Sequence, residues 1–359
     1  MLLLTNIALI LPTCMVAAPQ SQTVCKPVQI ERQLSAMGTS LFIRLEAPTR
    51  AEALAASELA AQAIDGVEAM LSTWRQDSEL SLLNRSEAGE PFELSLNLAH
   101  DLSRAFEWRS RTHGAFDPTV GALVELWDLR GLGKQPSASD LRLGLLASGT
   151  KAFDLQSPTT IVRRVANARI EEGGFGKGAG IDVALANLRA AGIKRAEVDL
   201  GGQVALLACT EAQTFEIAHP LHRDQALLAL NLFKGSIATS GNSERSLQVE
   251  GKTIGHLLDP RTGEPATDFG SVTVWSESAF DADCLSTALF VLGPDAAMEF
   301  AASCQSIEAI VIDIRSACTS VRATSGLRQQ LTTLDPSMVI EWIPGSTLAG
   351  SELATSPPK

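Results

Sequence analysis

The sequence predicts an α+β fold in which mixed or antiparallel sheets pack against helices. Segments with β-branched or alternating residues are interleaved with segments of helical periodicity, but the two kinds do not alternate one for one as in a parallel sheet. The 359 residues are 45% hydrophobic and 19% charged, which supplies enough apolar material for a core. At roughly 150 residues per domain, this length predicts about two domains or one large unit with insertions.

The first half of the chain predicts paired strands and then helices. Val28 to Glu46 alternates around a glycine break, which favours a strand, a turn and a second strand. Thr49 and Glu52 have capping-box spacing and start a helix that runs to about Leu71. Further on we expect two helices (97–111 and 118–127), a loop (130–139), three short strands (152–156, 161–165 and 168–170) and a helix ending at residue 192.

The second half predicts strands first, followed by two helices and a last strand. The expected strands are 196–200, 204–208, 214–217, 226–232, 271–275 and 307–314, and the expected helices are 281–292 and 294–304. The segment 236–245 is interpreted as a polar turn, and 345–359 as a C-terminal tail.

Composition argues against nucleic acid as a partner. The net charge is -12, Tyr is absent and aromatic residues make up 5% of the chain. A chain that binds a phosphate backbone needs a basic surface, and one that binds single strands needs aromatic stacking platforms. The sequence offers neither, so we expect no nucleic-acid partner.

The N-terminus has the pattern of a secretory signal peptide. Met1 to Ala18 is apolar, ends in small residues and is short for a bilayer span. Because no Lys or Arg precedes the apolar run, a buried N-terminal strand stays an alternative. Cys14 lies in a loose lipoprotein-like box, so attachment to the membrane by a lipid stays open.

The six cysteines do not have the spacing of a zinc site, and both free buried thiols and some disulfide pairing remain open.

A glycine run, Gly173 to Gly178, opens the helix that contains Ile181 and includes Lys177. Backbone N–H groups and a lysine at a helix N-terminus are the features that bind a phosphate or pyrophosphate. The run is not a P-loop, because Gly178 stands where Ser or Thr should follow the lysine. The alternative is a glycine-rich turn that lets the helix pack closely, and spacing alone leaves both open.

Asp283 and Thr287 are four residues apart and so share one face of a helix. Two oxygen ligands there suit Mg²⁺, which takes few protein ligands. The local pattern favours the alternative, in which the aspartate caps the helix.

His256 precedes a Pro and Gly turn and is either a titratable catalytic group or a structural histidine. Asp117 reads as a helix start, and Trp74 either covers a ring or belongs to the core.

The order of these motifs resembles the ApbE-like family of FAD:protein FMN transferases. The resemblance covers about Met37 to Val311. The matching stretches are AMGTS (36–40), STWRQDSELSLLN (72–84), GAFDPTVGALVELW (114–127), GGFGKG (173–178), DLGGQV (199–204), ATSGNSER (238–245), GHLLDPRTGEPA (255–266) and DADCLSTALFVLG (281–293).

The resemblance implies a T-fold-like architecture and a transferase domain over 19–344, either undivided or in two subdomains. It implies that FMN moves from FAD to a Thr or Ser hydroxyl of an acceptor protein, with Mg²⁺ bound and AMP released. The residues that would contact FAD are Met37, Trp74, Ala115, Phe116, Asp117, Glu171, Lys177 and Leu257. The metal would be held by Asp283, Thr287 and the carbonyl of Gly174.

The sequence departs from the family pattern at several of these positions. Glu171 replaces a usual Asp, Glu172 replaces an apolar residue and Gln203 replaces a common Asp. His256 is the candidate base for the acceptor hydroxyl, with Asp283 as its competitor. An Mg²⁺-dependent FAD pyrophosphatase and a non-catalytic exported flavin-binding protein remain alternatives. The expected location is the periplasm or the periplasmic face of the inner membrane.

Overall fold

The computed structural model describes residues 26–242, 246–316 and 318–345. The helices are α1 (Arg50–Leu71), α2 (Glu79–Arg85), α3 (Leu96–Arg111), α4 (Gly121–Leu126), α5 (Ala138–Leu146), α6 (Gly176–Ala190), α7 (Ala279–Leu292) and α8 (Pro294–Ser303).

The strands outnumber the helices. They are β1 (Val28–Ala36), β2 (Thr39–Ala47), β3 (Pro91–Glu93), β4 (Phe153–Ser157), β5 (Thr160–Arg163), β6 (Arg195–Leu200), β7 (Gln203–Leu206), β8 (Gln213–Ala218), β9 (Ala226–Leu232), β10 (Gly235–Gly241), β11 (Ser246–Val249), β12 (Lys252–Gly255), β13 (Gly270–Ser276), β14 (Ile307–Asp313), β15 (Ser320–Thr324), β16 (Leu331–Thr333) and β17 (Ile340–Ile343).

One large mixed sheet organises the described part of the chain. Its nine strands follow the order β1-β2-β6-β7-β10-β13-β14-β15-β17. Neighbours are antiparallel except β15 and β17, which are parallel. Smaller sheets have the orders β3-β5-β4, β16-β9-β8 and β11-β12. The predicted α+β class, with mixed and antiparallel sheets and packed helices, is confirmed.

Each face of the large sheet is buried against a different layer. On β7, Ala205 packs with α1 and α6, whereas its neighbours Val204 and Leu206 pack with residues of β8 and β9. This two-residue alternation is what a sheet covered on both faces requires. The large sheet therefore lies between a layer of helices and the small β16-β9-β8 sheet.

The helix α1 begins where the sequence predicts. Thr49 is its N-cap, and the Thr49 side chain accepts a hydrogen bond from the Glu52 N–H at 3.2 Å. Its buried residues include Ala53, Ala60 and Ile64, which recur at helical spacing and face the sheet and α6. A cap and an apolar stripe thus determine this element locally.

Three sequence predictions are wrong in detail. The predicted polar turn at 236–245 is in fact β10, an inner strand of the large sheet, up to Gly241. Residues 168–170 form a single bridge between Arg169 and Val120 instead of a strand. The helix predicted over 118–127 covers only Gly121–Leu126. The predicted signal segment 1–18 and the predicted tail 345–359, except Gly345, lie outside the described residues, as do residues 243–245.

The contact between α6 and α7 is closer than side chains would normally allow. A Cβ atom on Gly178 would lie 2.3 Å from the carbonyl oxygen of Ala279 and 2.6 Å from Cα of Phe280. Since real Cβ atoms do not approach backbone atoms this closely, residue 178 has to be glycine for the two helices to meet as they do. The close-packing interpretation of the glycine run is confirmed at this position.

Asp182 of α6 fixes the start of α7 in the same contact. Its carboxylate accepts hydrogen bonds from the Ser278 hydroxyl at 2.7 Å, the Ala279 N–H at 2.7 Å and the Phe280 N–H at 3.2 Å. Arg104 of α3 donates to Ser278 and to Asp281, at 2.7 and 2.9 Å. The otherwise unpaired N–H groups of the first turn of α7 are thereby satisfied by a neighbouring helix.

Candidate functional site

The α6–α7 contact places Asp283 against the glycine run. Asp283 is buried, and its Oδ2 accepts a hydrogen bond from the Gly178 N–H at 3.0 Å. The Lys177 Nζ lies 3.4 Å from Oδ1 of the same carboxylate. A buried carboxylate, a backbone donor and an ammonium group therefore converge where α6 begins. This is an arrangement suited to negatively charged phosphates and to cations at once.

Asp283 does not cap its own helix. The N-cap of α7 is Ser278, whose hydroxyl accepts from the Asp281 N–H. The carboxylate of Asp283 instead points to α6, which is more than one hundred residues earlier in the chain. The helix-cap alternative that the local sequence pattern favoured is therefore wrong for Asp283.

Gly174 and Thr287 also face each other across this contact. A Cβ on Gly174 would lie 3.5 Å from Oγ1 of Thr287 and 3.0 Å from Cε2 of Phe116. Thr287 follows Asp283 by one turn of α7, so both oxygen-bearing side chains lie beside the glycine run. A hydroxyl, a carboxylate and a nearby backbone carbonyl are hard oxygen donors and fit Mg²⁺ by their chemistry.

No group of three or more His, Cys, Asp and Glu side chains in the described part of the chain could hold a metal ion. A site built on Asp283 would therefore depend on one carboxylate together with hydroxyl and carbonyl oxygens. Mg²⁺ accepts such a set because it keeps several waters and takes further oxygens from a substrate phosphate.

The predicted contacts Ala115, Phe116 and Asp117 form a buried turn beside this site. The Asp117 Oδ1 accepts from the N–H and hydroxyl of Thr119, at 2.9 and 2.6 Å. The Asp117 Oδ2 pairs with Arg109 at 2.5 Å. The carboxylate thus holds the turn in place, and Phe116 reaches Gly174 from it. Because the buried Phe116 limits the space behind Gly174, this turn helps to shape the glycine run.

Met37, Leu257 and His256 lie on two segments beside the helices, and His256 and Leu257 are neighbours in the chain. Met37 occupies the turn between β1 and β2 with φ of 50°, and its N–H donates to Glu68 of α1 at 2.7 Å. Its terminal methyl approaches Gly180 of α6. Leu257 packs against the main core, and His256 follows β12 and is half-buried. The ligand contacts of these residues and the catalytic role of His256 stay predictions.

Arg130 joins two of the predicted FAD contacts, Trp74 and Glu171. The guanidinium lies 4.7 Å from the centre of the Trp74 ring, and its Nη2 donates to both Glu171 carboxylate oxygens at 2.6 Å. Thr73 bonds to Arg130 as well, and its hydroxyl donates to Glu172 at 2.6 Å. Trp74 remains 64% exposed, so its ring is available to a ligand. Glu171 and Arg130 line a surface cleft together with Thr73 and Arg169.

Sequence reasoning missed Arg130 and Asp182. Arg130 lies in a Gly, Pro and Ser loop, 41 residues before Glu171, and no local pattern links the two. Asp182 has the helical position of an ordinary surface carboxylate, although it bonds to the start of α7. The one available signal was the pair of acidic departures at Glu171 and Glu172, since two adjacent, partly buried carboxylates favour partners from elsewhere in the chain.

Burial, followed by the neighbouring Glu172, raises the pKa of the Glu171 carboxyl to about 7, although Arg130 acts in the opposite direction. A carboxyl group that titrates near neutrality beside an exposed indole is typical of ligand sites. The Glu171 carboxyl can therefore accept or donate a hydrogen bond near physiological pH.

The chain is similar to known proteins over most of its length. The family model described as the ApbE family matches residues 37–311. The chain is 31% identical over 264 residues to the FAD:protein FMN transferase of Klebsiella pneumoniae (strain 342), covering 70% of this chain and 74% of that protein. It is 31% identical over 316 residues to the FAD:protein FMN transferase of Treponema pallidum (strain Nichols), covering 81% of this chain and 85% of that protein.

Solved structures share the fold. The flavin transferase ApbE from Vibrio cholerae superposes with a TM-score of 0.73 at 26% identity, covering 85% of this chain and 100% of that one. The ApbE protein from Thermotoga maritima gives a TM-score of 0.72 at 26% identity, covering 80% and 94%. The similarity therefore extends over most of the described sheets and helices.

The raised pKa of Glu171 predicts a pH effect on stability. The folded protein keeps this proton up to about pH 7, whereas the unfolded chain loses it near 4.5, so the wild type loses stability as pH rises between these values. Glu171→Gln does not titrate there. In urea unfolding, the free energy of unfolding of the wild type should fall relative to that of Glu171→Gln between pH 5 and pH 8, by roughly 2–3 kcal/mol.

Glu87→Gln, at an exposed position, is the control. The difference between its free energy of unfolding and that of the wild type should be the same at pH 5 and pH 8. Parallel pH profiles for Glu171→Gln and wild type would contradict the raised pKa of the buried carboxyl.

Proposed function

The chain belongs to the ApbE family and is a flavin transferase, and from that premise we propose that it is an Mg²⁺-dependent FAD:protein FMN transferase. Its proposed acceptor is a Thr or Ser hydroxyl of another protein, and AMP is the released product. The observation that carries the proposal is the convergence of Asp283, Lys177 and the glycine run at the α6–α7 contact.

The proposed reaction exchanges the phosphoanhydride bond of FAD for a new phosphoester bond to the acceptor. The acceptor hydroxyl oxygen bonds to the FMN-side phosphorus, the bond from that phosphorus to the bridging oxygen breaks, and the electron pair leaves with AMP. The hydroxyl proton passes to a base. Bound at Asp283 and Thr287, with the carbonyl of Gly174, Mg²⁺ would neutralise pyrophosphate charge and stabilise the leaving oxygen.

The chain's own groups supply the remaining chemistry. Lys177 and the N–H groups at the start of α6 face anionic oxygens and would stabilise charge on the departing phosphate. Trp74 offers an exposed ring face for stacking, and Glu171 offers a hydrogen-bonding carboxyl beside it. Holding both ends of FAD in this way converts the attack into an oriented, near-unimolecular step.

His256 is the proposed base for the acceptor hydroxyl. The competing candidate, Asp283, already uses one carboxylate oxygen for the Gly178 N–H and pairs with Lys177 through the other. A carboxylate held in this way suits a metal ligand better than a proton acceptor. His256 has the residue type whose ordinary pKa is near neutrality, which favours general base catalysis.

Export to the periplasm is part of the proposal, with attachment to the membrane by a lipid as an extension of it. Its support is the apolar segment Met1 to Ala18, which lies outside the described residues. Within the described residues, no helix combines the length and apolarity needed to cross a bilayer. Intact-mass analysis of protein from the cell envelope should show that this segment has been removed, and a retained Met1 would contradict export.

An assay with FAD, Mg²⁺ and an acceptor domain tests the transferase itself. Transfer predicts covalent flavin on the acceptor and an equal amount of AMP. Free FMN with AMP would indicate a pyrophosphatase, and intact FAD would indicate a flavin-binding protein. Either of these two results would overturn the proposed reaction.

The same assay tests Asp283 as a metal ligand. Asp283→Asn keeps the shape of the side chain but removes its charge, so transfer should fall by ~100-fold or more, since each ~1.4 kcal/mol lost changes the rate tenfold. Higher Mg²⁺ should restore part of the rate. Thr287→Val should act in the same direction with a smaller loss.

Thermal melts provide the control for folding in both variants. A folded Asp283→Asn protein with wild-type turnover and an unchanged Mg²⁺ requirement would show that the carboxylate has no metal role.

A further inference from the structure

The buried carboxylate of Asp283 has a resident cation. The Lys177 Nζ lies 3.4 Å from its Oδ1, and the Asp283 side chain is only 5% exposed. Its other oxygen accepts from a neutral backbone N–H, that of Gly178. Because a buried charge without a partner is costly, the ammonium of Lys177 compensates for the charge of Asp283.

Lys177 differs from Asp283 in exposure. The Lys177 side chain is 34% exposed, and it has a flexible four-carbon stem. The ammonium can therefore leave the carboxylate and reach solvent or a ligand at the start of α6 without moving the helix. The pair thus consists of a fixed anion and a cation that can move.

We propose that Mg²⁺ displaces Lys177 from Asp283 and that the freed ammonium then binds the pyrophosphate of FAD. This inference rests on the proposed function, because it assigns Mg²⁺ and FAD to this site. Two cations that compete for one carboxylate repel each other at short range, so the arriving divalent ion expels the monovalent one. The lysine is then both a competitor of the metal and a ligand of the substrate.

This exchange couples the two ligands. Mg²⁺ alone has to displace Lys177, whereas in the presence of FAD the ammonium has a second anionic partner. Each ligand therefore raises the affinity for the other by the same factor, as linkage requires. Removal of the lysine charge also relieves its repulsion of Mg²⁺, so the displacement itself is tested by the exposure of Lys177 to labelling.

Calorimetric titration of Mg²⁺ into the full chain without FAD tests the exchange. Lys177→Met keeps most of the stem and removes the charge. We expect the variant to bind Mg²⁺ at least ~5-fold more tightly than wild type, to bind FAD more weakly, and to show less coupling between the two. Equal or weaker Mg²⁺ binding by the folded variant would overturn the proposal.

A labelling experiment on the wild-type chain does not depend on that variant folding. Amine-reactive labelling of Lys177, quantified by peptide mass spectrometry, should rise when Mg²⁺ is added and fall again when FAD follows. Lys234 is a matched control, since it is 32% exposed and pairs with Glu277 at 2.5 Å. Its labelling should not respond. If labelling of Lys177 does not change with Mg²⁺, the displacement is wrong.

The outcomes separate this inference from the proposed function. Tighter Mg²⁺ binding by Lys177→Met together with no covalent flavin in the wild-type assay would support the exchange and reject the transferase. Covalent flavin together with unchanged Mg²⁺ affinity in Lys177→Met would support the transferase and reject the exchange.

Discussion

The close contact between α6 and α7 is the constraint on which the candidate site depends. The two helices meet backbone to backbone because Gly178 has no side chain, and Asp182 satisfies the first N–H groups of α7 from across the contact. This approach brings the Asp283 carboxylate within 3.0 Å of the Gly178 N–H. Packing therefore determines which charges meet, because an aspartate of α7 comes to lie against Lys177 and the Gly178 N–H at the start of α6.

The large sheet and the outer helices support that contact. Strands β10 and β13 lie beneath α7, and β2 and β6 lie beneath α1 and α6. Arg104 of α3 connects Ser278 and Asp281, and its guanidinium lies 4.1 Å from the centre of the Phe280 ring. Trp74, Glu171 and Arg130 lie on loops at the edge of this framework. Rigid elements thus hold the charged centre, and loops hold the groups proposed to contact the rest of FAD.

Local sequence patterns predicted the features that depend on local interactions. The Thr49 cap, the helix start within the glycine run and the placement of Asp283 and Thr287 on one helix all follow from short-range spacing. The β10 strand was mistaken for a turn because it is rich in Ser, Thr and Gly. Its polar side chains form hydrogen bonds with neighbouring elements, as Thr239 does with Thr273 of the adjacent strand β13 at 2.8 Å. The partners of Asp283 and of Glu171 come from distant segments, which no local pattern could reveal. The family resemblance recognised from the motifs is confirmed, whereas the site roles it implies await experiment.

The most direct test of the central claim is the Mg²⁺ affinity of Gly178→Ala, measured by calorimetry on folded protein. The added methyl group forces α6 and α7 apart, so we expect lower stability, by ~1–3 kcal/mol, and Mg²⁺ binding at least ~10-fold weaker because Asp283 is displaced. Gly66→Ala in α1 is the control, since nothing lies within 4 Å of its added Cβ. That variant should be as stable as wild type or more so, with unchanged Mg²⁺ affinity. Wild-type Mg²⁺ affinity in Gly178→Ala would contradict the claim that this contact forms the site.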